Sequence, residues 1–199
     1  MKDPKRVFII HGWDGDVEKN WFPSMKKSLE KRGFIVYMPK MPKPAEPNIR
    51  SWTSYLSRIV KKSDHNTFFI GHSIGCQTIL RYMEKSGADC GGMIFISGWF
   101  KLKEFAYKEN PEYEKAVRAI ARPWINTKIN FKKIKAKNTK HIVAIFSDND
   151  YYVDLSDAKI FKSKLGAKII IEHNKGHYAE RDNIKDIPVV RKELLKMSK

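Results

Sequence analysis

At 199 residues, with 42% apolar side chains and 12% aromatics, the chain can bury one sizeable core and is too short for two comfortable ones, so a single domain over 1–199 is expected. No apolar run approaches the roughly 20 residues of a membrane helix, the opening MKDPKRVFII carries no cleavable leader pattern, and two cysteines exclude a disulfide framework, so a cytoplasmic protein with reduced, buried thiols is expected. The charge is less ordinary: 39 Lys and Arg against 22 Asp and Glu leave +17, a field that draws acidic ligands or nucleic acid unless most of it is solvated helix surface.

Val7 to Ile10 is a short apolar run suited to a strand covered on both faces, and it opens into His11-Gly12-Trp13-Asp14-Gly15. Pro23 sits at the start of an amphipathic helix over Phe22 to Arg32. Phe22, Met25 and Leu29 share one side, the lysines lie elsewhere, and Gly33 closes it. Phe34 to Met38 reads as a second strand. Pro39, Pro42, Pro44 and Pro47 then make an extended, stiff loop that suits a cleft wall better than a docking peptide. Trp52, Tyr55, Leu56 and Ile59 recur at helical spacing.

Thr67 to Leu80, TFFIGHSIGCQTIL, organises the rest. A buried strand ends on Gly71-His72-Ser73-Ile74-Gly75 and a helix begins at once, which presents Ser73 on a sharp turn whose neighbours two residues away must lack side chains. The helix N-terminus favours negative charge developing there. Met93 to Ile96 is a fourth strand, ending in Ser97-Gly98-Trp99. Residues 101–140 break the rhythm with an amphipathic piece around Pro111 to Arg122 and a Lys-rich tail through Lys132, Lys133, Lys135 and Lys137. Its twelve basic and four acidic residues hold nearly half of the net charge, and it is expected to cap the site. Ile142 to Phe146 is a fifth strand, Asp154 to Leu165 a helix, Lys168 to Glu172 a sixth strand, and Val189 to Leu195 lie on a last helix. Strands alternating with helices predict a doubly wound parallel sheet of about six strands, with ligands at its C-terminal edge.

A serine hydroxyl needs a positioned base, and the base needs a carboxylate. In chain order the candidates are Ser73, then Asp148 or Asp150, then His173 or His177. His177, in the loop after the last strand and beside Gly176, is the better base. Asp150 lies further out from its strand than Asp148 and is favoured. His11 and His72 read as orienting groups. The main-chain N–H of Ile74, after the nucleophile, and of Trp13, where Gly12 allows close approach, are the candidate oxyanion donors. Trp99, Phe100, Trp124 and the prolines are candidates for an apolar acyl pocket. No phosphate-binding glycine fingerprint or metal-ligand spacing is present, so no cofactor is expected.

The set His11-Gly12-Trp13, Trp21, the four prolines, Trp52, Gly71 to Gly75, Ser97-Gly98, Asp150 and Gly176-His177 resembles the small α/β-hydrolase-fold serine hydrolases of the retinoblastoma-binding protein nine type, over almost the whole chain. The resemblance implies a compact α/β-hydrolase fold with a Ser73, Asp150, His177 triad, and it favours Asp150 through the pattern Asp150-Tyr151-Tyr152-Val153. Asp154 stands where that family usually has proline, and Asp14 where it often has a small residue. The expected function is a serine hydrolase, a carboxylesterase on small esters, working through an acyl-serine. The alternative is a catalytically silent binding protein that docks an acidic partner or nucleic acid through the basic insertion.

Overall fold

The computed structural model describes residues 4–107, 110–135 and 141–199. Of the basic insertion, Lys108, Glu109, Lys137, Lys140 and the Lys135 side chain lie outside the described residues. Six strands, β1 (Arg6–Ile10), β2 (Ile35–Tyr37), β3 (Thr67–His72), β4 (Gly92–Ile96), β5 (Ile142–Ser147) and β6 (Lys168–Glu172), form one sheet in the order β2-β1-β3-β4-β5-β6. Every neighbouring pair is parallel. Such a sheet needs cover on both faces, which is why its central strands read as unbroken apolar runs instead of alternating.

The pleat divides those runs between two cores. Val7 and Ile9 of β1, Phe68 and Ile70 of β3, and Ile94 and Ile96 of β4 face α1 (Phe22–Glu30) and α7 (Pro188–Met197). Phe8 and Ile10, Phe69, and Met93 and Phe95 point the other way, toward α2 (Ile49–Val60), α3 (Ile74–Ser86) and α6 (Ser156–Leu165). Two further helices, α4 (Pro111–Asn126) and α5 (Phe131–Lys135), lie between β4 and β5. Helix α4 runs on through Pro123, past the expected end at Arg122, while the expected α6 start at Asp154 moves to Ser156 because the Asp154 carboxylate accepts the Ser156 N–H.

The proline loop is held by tryptophans. Trp13 Nε1 donates to the Ala45 carbonyl at 2.9 Å, Trp52 Nε1 to Pro42 at 2.8 Å, and Trp124 Nε1 to Pro47 at 3.0 Å. Prolines offer no N–H but keep their carbonyls, so indole donors are natural partners for such a segment. Both cysteines are buried and free, and burial raises both thiol pKa values, that of Cys90 to about 12. No helix among the described residues is long and apolar enough to cross a membrane.

Candidate active site

Ser73 caps α3 at φ 52°, ψ −122°, a left-handed conformation that a residue with a Cβ seldom adopts, and its N–H continues the sheet ladder to the Ile96 carbonyl at 2.9 Å. The two motif glycines serve close approach rather than unusual φ. A Cβ on Gly71 would lie 2.9 Å from the Cys76 Cα, and one on Gly75 would lie 2.4 Å from the Ile10 carbonyl oxygen. Gly12 plays the same part across the cleft, since a Cβ there would meet His72 Nδ1 at 2.9 Å and the Ser73 Cβ at 3.1 Å. The loop after β1 can therefore rest directly on the serine. Neither the main-chain N–H of Trp13 nor that of Ile74 has a hydrogen-bond partner among the described residues.

The loops after β5 and β6 sort the two aspartates and two histidines into separate pairs. Asp150, 2% exposed, takes His177 Nδ1 on Oδ2 at 2.9 Å, and its Oδ1 accepts the N–H groups of Tyr152 at 2.9 Å and Val153 at 3.0 Å. Burial pushes the Asp150 carboxyl pKa up, but the bonds from His177 and the two main-chain donors outweigh it and hold the group below its usual value. An ionised Asp150 fixes the proton on His177 Nδ1 and leaves Nε2 as the basic nitrogen. Asp148 instead sits on the surface, with His173 Nδ1 at 2.5 Å and the Asn174 N–H at 3.0 Å.

The His177 loop is held from several sides. His72 Nε2 donates to the His177 carbonyl at 2.8 Å. Burial depresses the His72 pKa to about 3, so that ring is a neutral donor. The Asp182 carboxylate accepts the N–H groups of His177 and Ala179, each at 2.9 Å, and the Tyr151 hydroxyl at 3.1 Å. Asn149 Oδ1 accepts the Gly176 N–H at 2.8 Å. His11, also kept neutral by burial, accepts the Met41 N–H on Nε2 and donates from Nδ1 to the Gly12 carbonyl at 2.7 Å. The sequence pattern singles out neither Asp182 nor Asn149: Asp182 braces its own loop through main-chain N–H groups three and five residues upstream, and Asn149 reaches Gly176 only once the loops after β5 and β6 meet.

Ser73, Trp13 and His177 open onto one cleft of about 570 Å³, floored by the C-terminal ends of the strands. Its apolar wall comes from Leu102, Ala106 and the α4 residues Val117 and Ile120, and its rim carries Asp14, Asp16 and Glu180 beside Lys19 and Arg181. Of the expected acyl-pocket residues only Trp99 reaches it. Phe100 is drawn away between Phe131 and Phe161, Trp124 is buried against Trp52, and the proline loop contributes Ala45. No hydrogen bond joins Ser73 to His177; the Ser73 hydroxyl oxygen accepts the Trp99 indole N–H at 3.2 Å. Among the described residues no group of three or more His, Cys, Asp or Glu side chains is placed to hold a metal.

A parallel six-stranded sheet with a serine on the turn after its third strand in sequence defines an α/β hydrolase of the serine type, and the chain belongs to the serine hydrolase family, whose sequence profile matches residues 7–196. It is similar to YdeN of Bacillus subtilis (strain 168), with 28% identity over 195 residues, 94% of this chain and 92% of that protein. The crystal structure of YdeN superposes with a TM-score of 0.83 over 97% of this chain and 98% of that one. The serine hydrolase RBBP9 of Rattus norvegicus is 27% identical over 197 residues, 98% of each chain. A carboxylesterase structure from Nitrososphaera gargenis shares the fold at 14% identity, with a TM-score of 0.72 over 98% of this chain and 91% of that one.

Proposed function

We propose that the protein is a carboxylesterase of small esters that works through an acyl-serine, with Ser73 as nucleophile, His177 as base and acid, and Asp150 as the carboxylate that orients it. The observation that carries this reading is the buried His177–Asp150 pair opening on the same cleft as Ser73, which stands on its left-handed turn. Ser73 Oγ attacks the ester carbonyl carbon as its proton passes to His177 Nε2, and the unpartnered N–H groups of Trp13 and Ile74 receive the oxyanion. The tetrahedral adduct collapses, His177 returns the proton to the departing alcohol, and water repeats the sequence on the acyl-serine. The wall of Leu102, Val117 and Ile120 suits an apolar acyl group.

In this reading residues 1–199 form one domain, and 101–140 are its cap, with α4 roofing the cleft. The fold neighbour described as a carboxylesterase is consistent with ester hydrolysis on this frame. Fluorophosphonate labelling followed by intact mass tests the assignment. Wild type is expected to take one label, and Ser73→Ala none. His177→Ala should label at least about 10³-fold more slowly. A folded wild type that takes no label overturns the reading.

A further inference from the structure

The hydrogen bond from Trp99 to Ser73 is made by a side chain to which serine-hydrolase chemistry gives no set role. We infer that Trp99 is a catalytic residue, whose fixed indole N–H steadies the Ser73 oxygen whenever that oxygen carries charge. The inference rests on the proposed nucleophilic role of Ser73.

Trp99 is 1% exposed, and its Nε1 donates to Ser73 Oγ at 3.2 Å. An indole N–H neither accepts nor surrenders a proton near neutral pH, so it acts as a dipole of constant sign aimed at the reacting atom. With one lone pair of Oγ occupied by Trp99, the hydroxyl proton is left to turn toward His177. Oγ carries partial negative charge twice in the cycle. The first time is when its proton leaves for His177 as the bond to the carbonyl carbon forms. The second is when the bond from Oγ to the acyl carbon breaks, after water has attacked, and Oγ recovers a proton from His177. A preorganised donor strengthens at both moments and gains little with the neutral substrate merely bound, so its effect falls on kcat.

The main chain that carries the indole is tied into a buried chain of polar contacts. The Trp99 carbonyl accepts Gln77 Nε2 at 2.9 Å, and Gln77 Oε1 accepts Arg81 Nη2 at 2.9 Å. The same Arg81 nitrogen donates to the carbonyls of Trp124 at 2.9 Å and Thr127 at 2.8 Å, at the C-terminal end of α4. Gln77 and Arg81 are 1% and 5% exposed, so these contacts are not loosened by water. The chain makes Gln77 and Arg81 positioning residues. It joins the helix that walls the cleft to the main chain of the residue whose indole touches the nucleophile.

The test compares wild type with Trp99→Phe and with Trp99→β-(3-benzothienyl)alanine. The second keeps the fused ring volume and replaces only N–H with sulfur, so it decides the matter if the phenylalanine variant folds poorly. A neutral short-chain p-nitrophenyl ester supplies kcat and KM, and fluorophosphonate supplies the labelling rate at Ser73. The expected result for the isostere is kcat and labelling rate lower by about 10- to 100-fold, with KM and melting temperature near wild type. A merely structural tryptophan would leave both rates unchanged in the isostere, and that result, or a rise in kcat, overturns the inference. If wild type labels at Ser73 while the isostere matches it, only the role of Trp99 falls. If folded wild type does not label, the proposed function falls, and Trp99 falls with it.

Discussion

Asp157 is fully buried, and among the described residues neither of its carboxylate oxygens makes a well-formed hydrogen bond, although the main chain at Phe100 and Lys101 lies close by. Burial raises its pKa to about 7, and the main chain at Phe100 and Lys101, with the Lys101 charge, offsets only part of that rise. Because the folded protein holds this proton more tightly than the unfolded chain, Asp157 favours folding most below its ordinary value of 3.8 and loses that contribution as pH rises toward about 7. Asp157→Asn, which cannot ionise, is expected to unfold later than wild type at pH about 8, by up to roughly 4 kcal/mol. The advantage should vanish near pH about 4. Urea unfolding at both pH values checks this, and equal stability at the higher one contradicts it. Residues of this kind mark where sequence reading stops. Ser73, Asp150 and His177 stand out because turn chemistry and chain order single them out, whereas Asp157 and Trp99 acquire their surroundings only when distant segments meet. Asp148 and His173 are the runners-up in sequence, and in the fold they pair with each other on the surface, away from the cleft that His177 shares with Ser73.

At the level of elements, the strands were legible because a parallel sheet buries both faces, so β1, β3, β4 and β5 are unbroken apolar runs. The ends of elements were less so. The sequence pattern places β2 at Phe34 to Met38 where the strand spans Ile35–Tyr37, and it stops α4 at Arg122 although Pro123 lies inside the helix. The junction of β3 with α3 was legible as a motif, but its glycines have a reason that the motif does not state: α3 starts almost in contact with the end of β1. In Gly75→Ala the new methyl would press on two main-chain carbonyls, Ile10 at 2.4 Å and His11 at 2.6 Å, neither of which can swing aside as a side chain would. A loss of about 1–3 kcal/mol is expected, together with slower Ser73 labelling as the helix is pushed off the strand. Urea unfolding with parallel labelling measures both; a variant as stable and as reactive as wild type contradicts this account of the packing.

Over the whole molecule the net charge is +17, and the cleft does not share its sign. The rim sets Asp14, Asp16 and Glu180 against Lys19 and Arg181, and Lys19 lies 3.2 Å from Glu180. At physiological salt the Debye length is about 8 Å, so a substrate at the mouth responds to the rim; at low salt the net charge reaches further. For an ester carrying a carboxylate, kcat/KM is therefore expected to rise several-fold as ionic strength falls from about 0.3 M to about 0.01 M, while a neutral ester stays level. Parallel slopes for the two esters would contradict this division between near and far field. Exposed Lys132 and Lys133 belong to that far field and lie outside the cleft lining.

The His177 loop also ties early chain to late. Its carbonyl is held by His72, 105 positions upstream, and the neighbouring Tyr178 carbonyl accepts from Asn20 at 2.7 Å and Trp21 at 3.1 Å. Contacts across such sequence separations form late, after the strands between them have paired. On the proposed roles of Ser73 and His177, a chain emerging during synthesis carries its serine long before the base arrives to sharpen it. On that reading the hydrolytic edge is ground last, once β6 has docked.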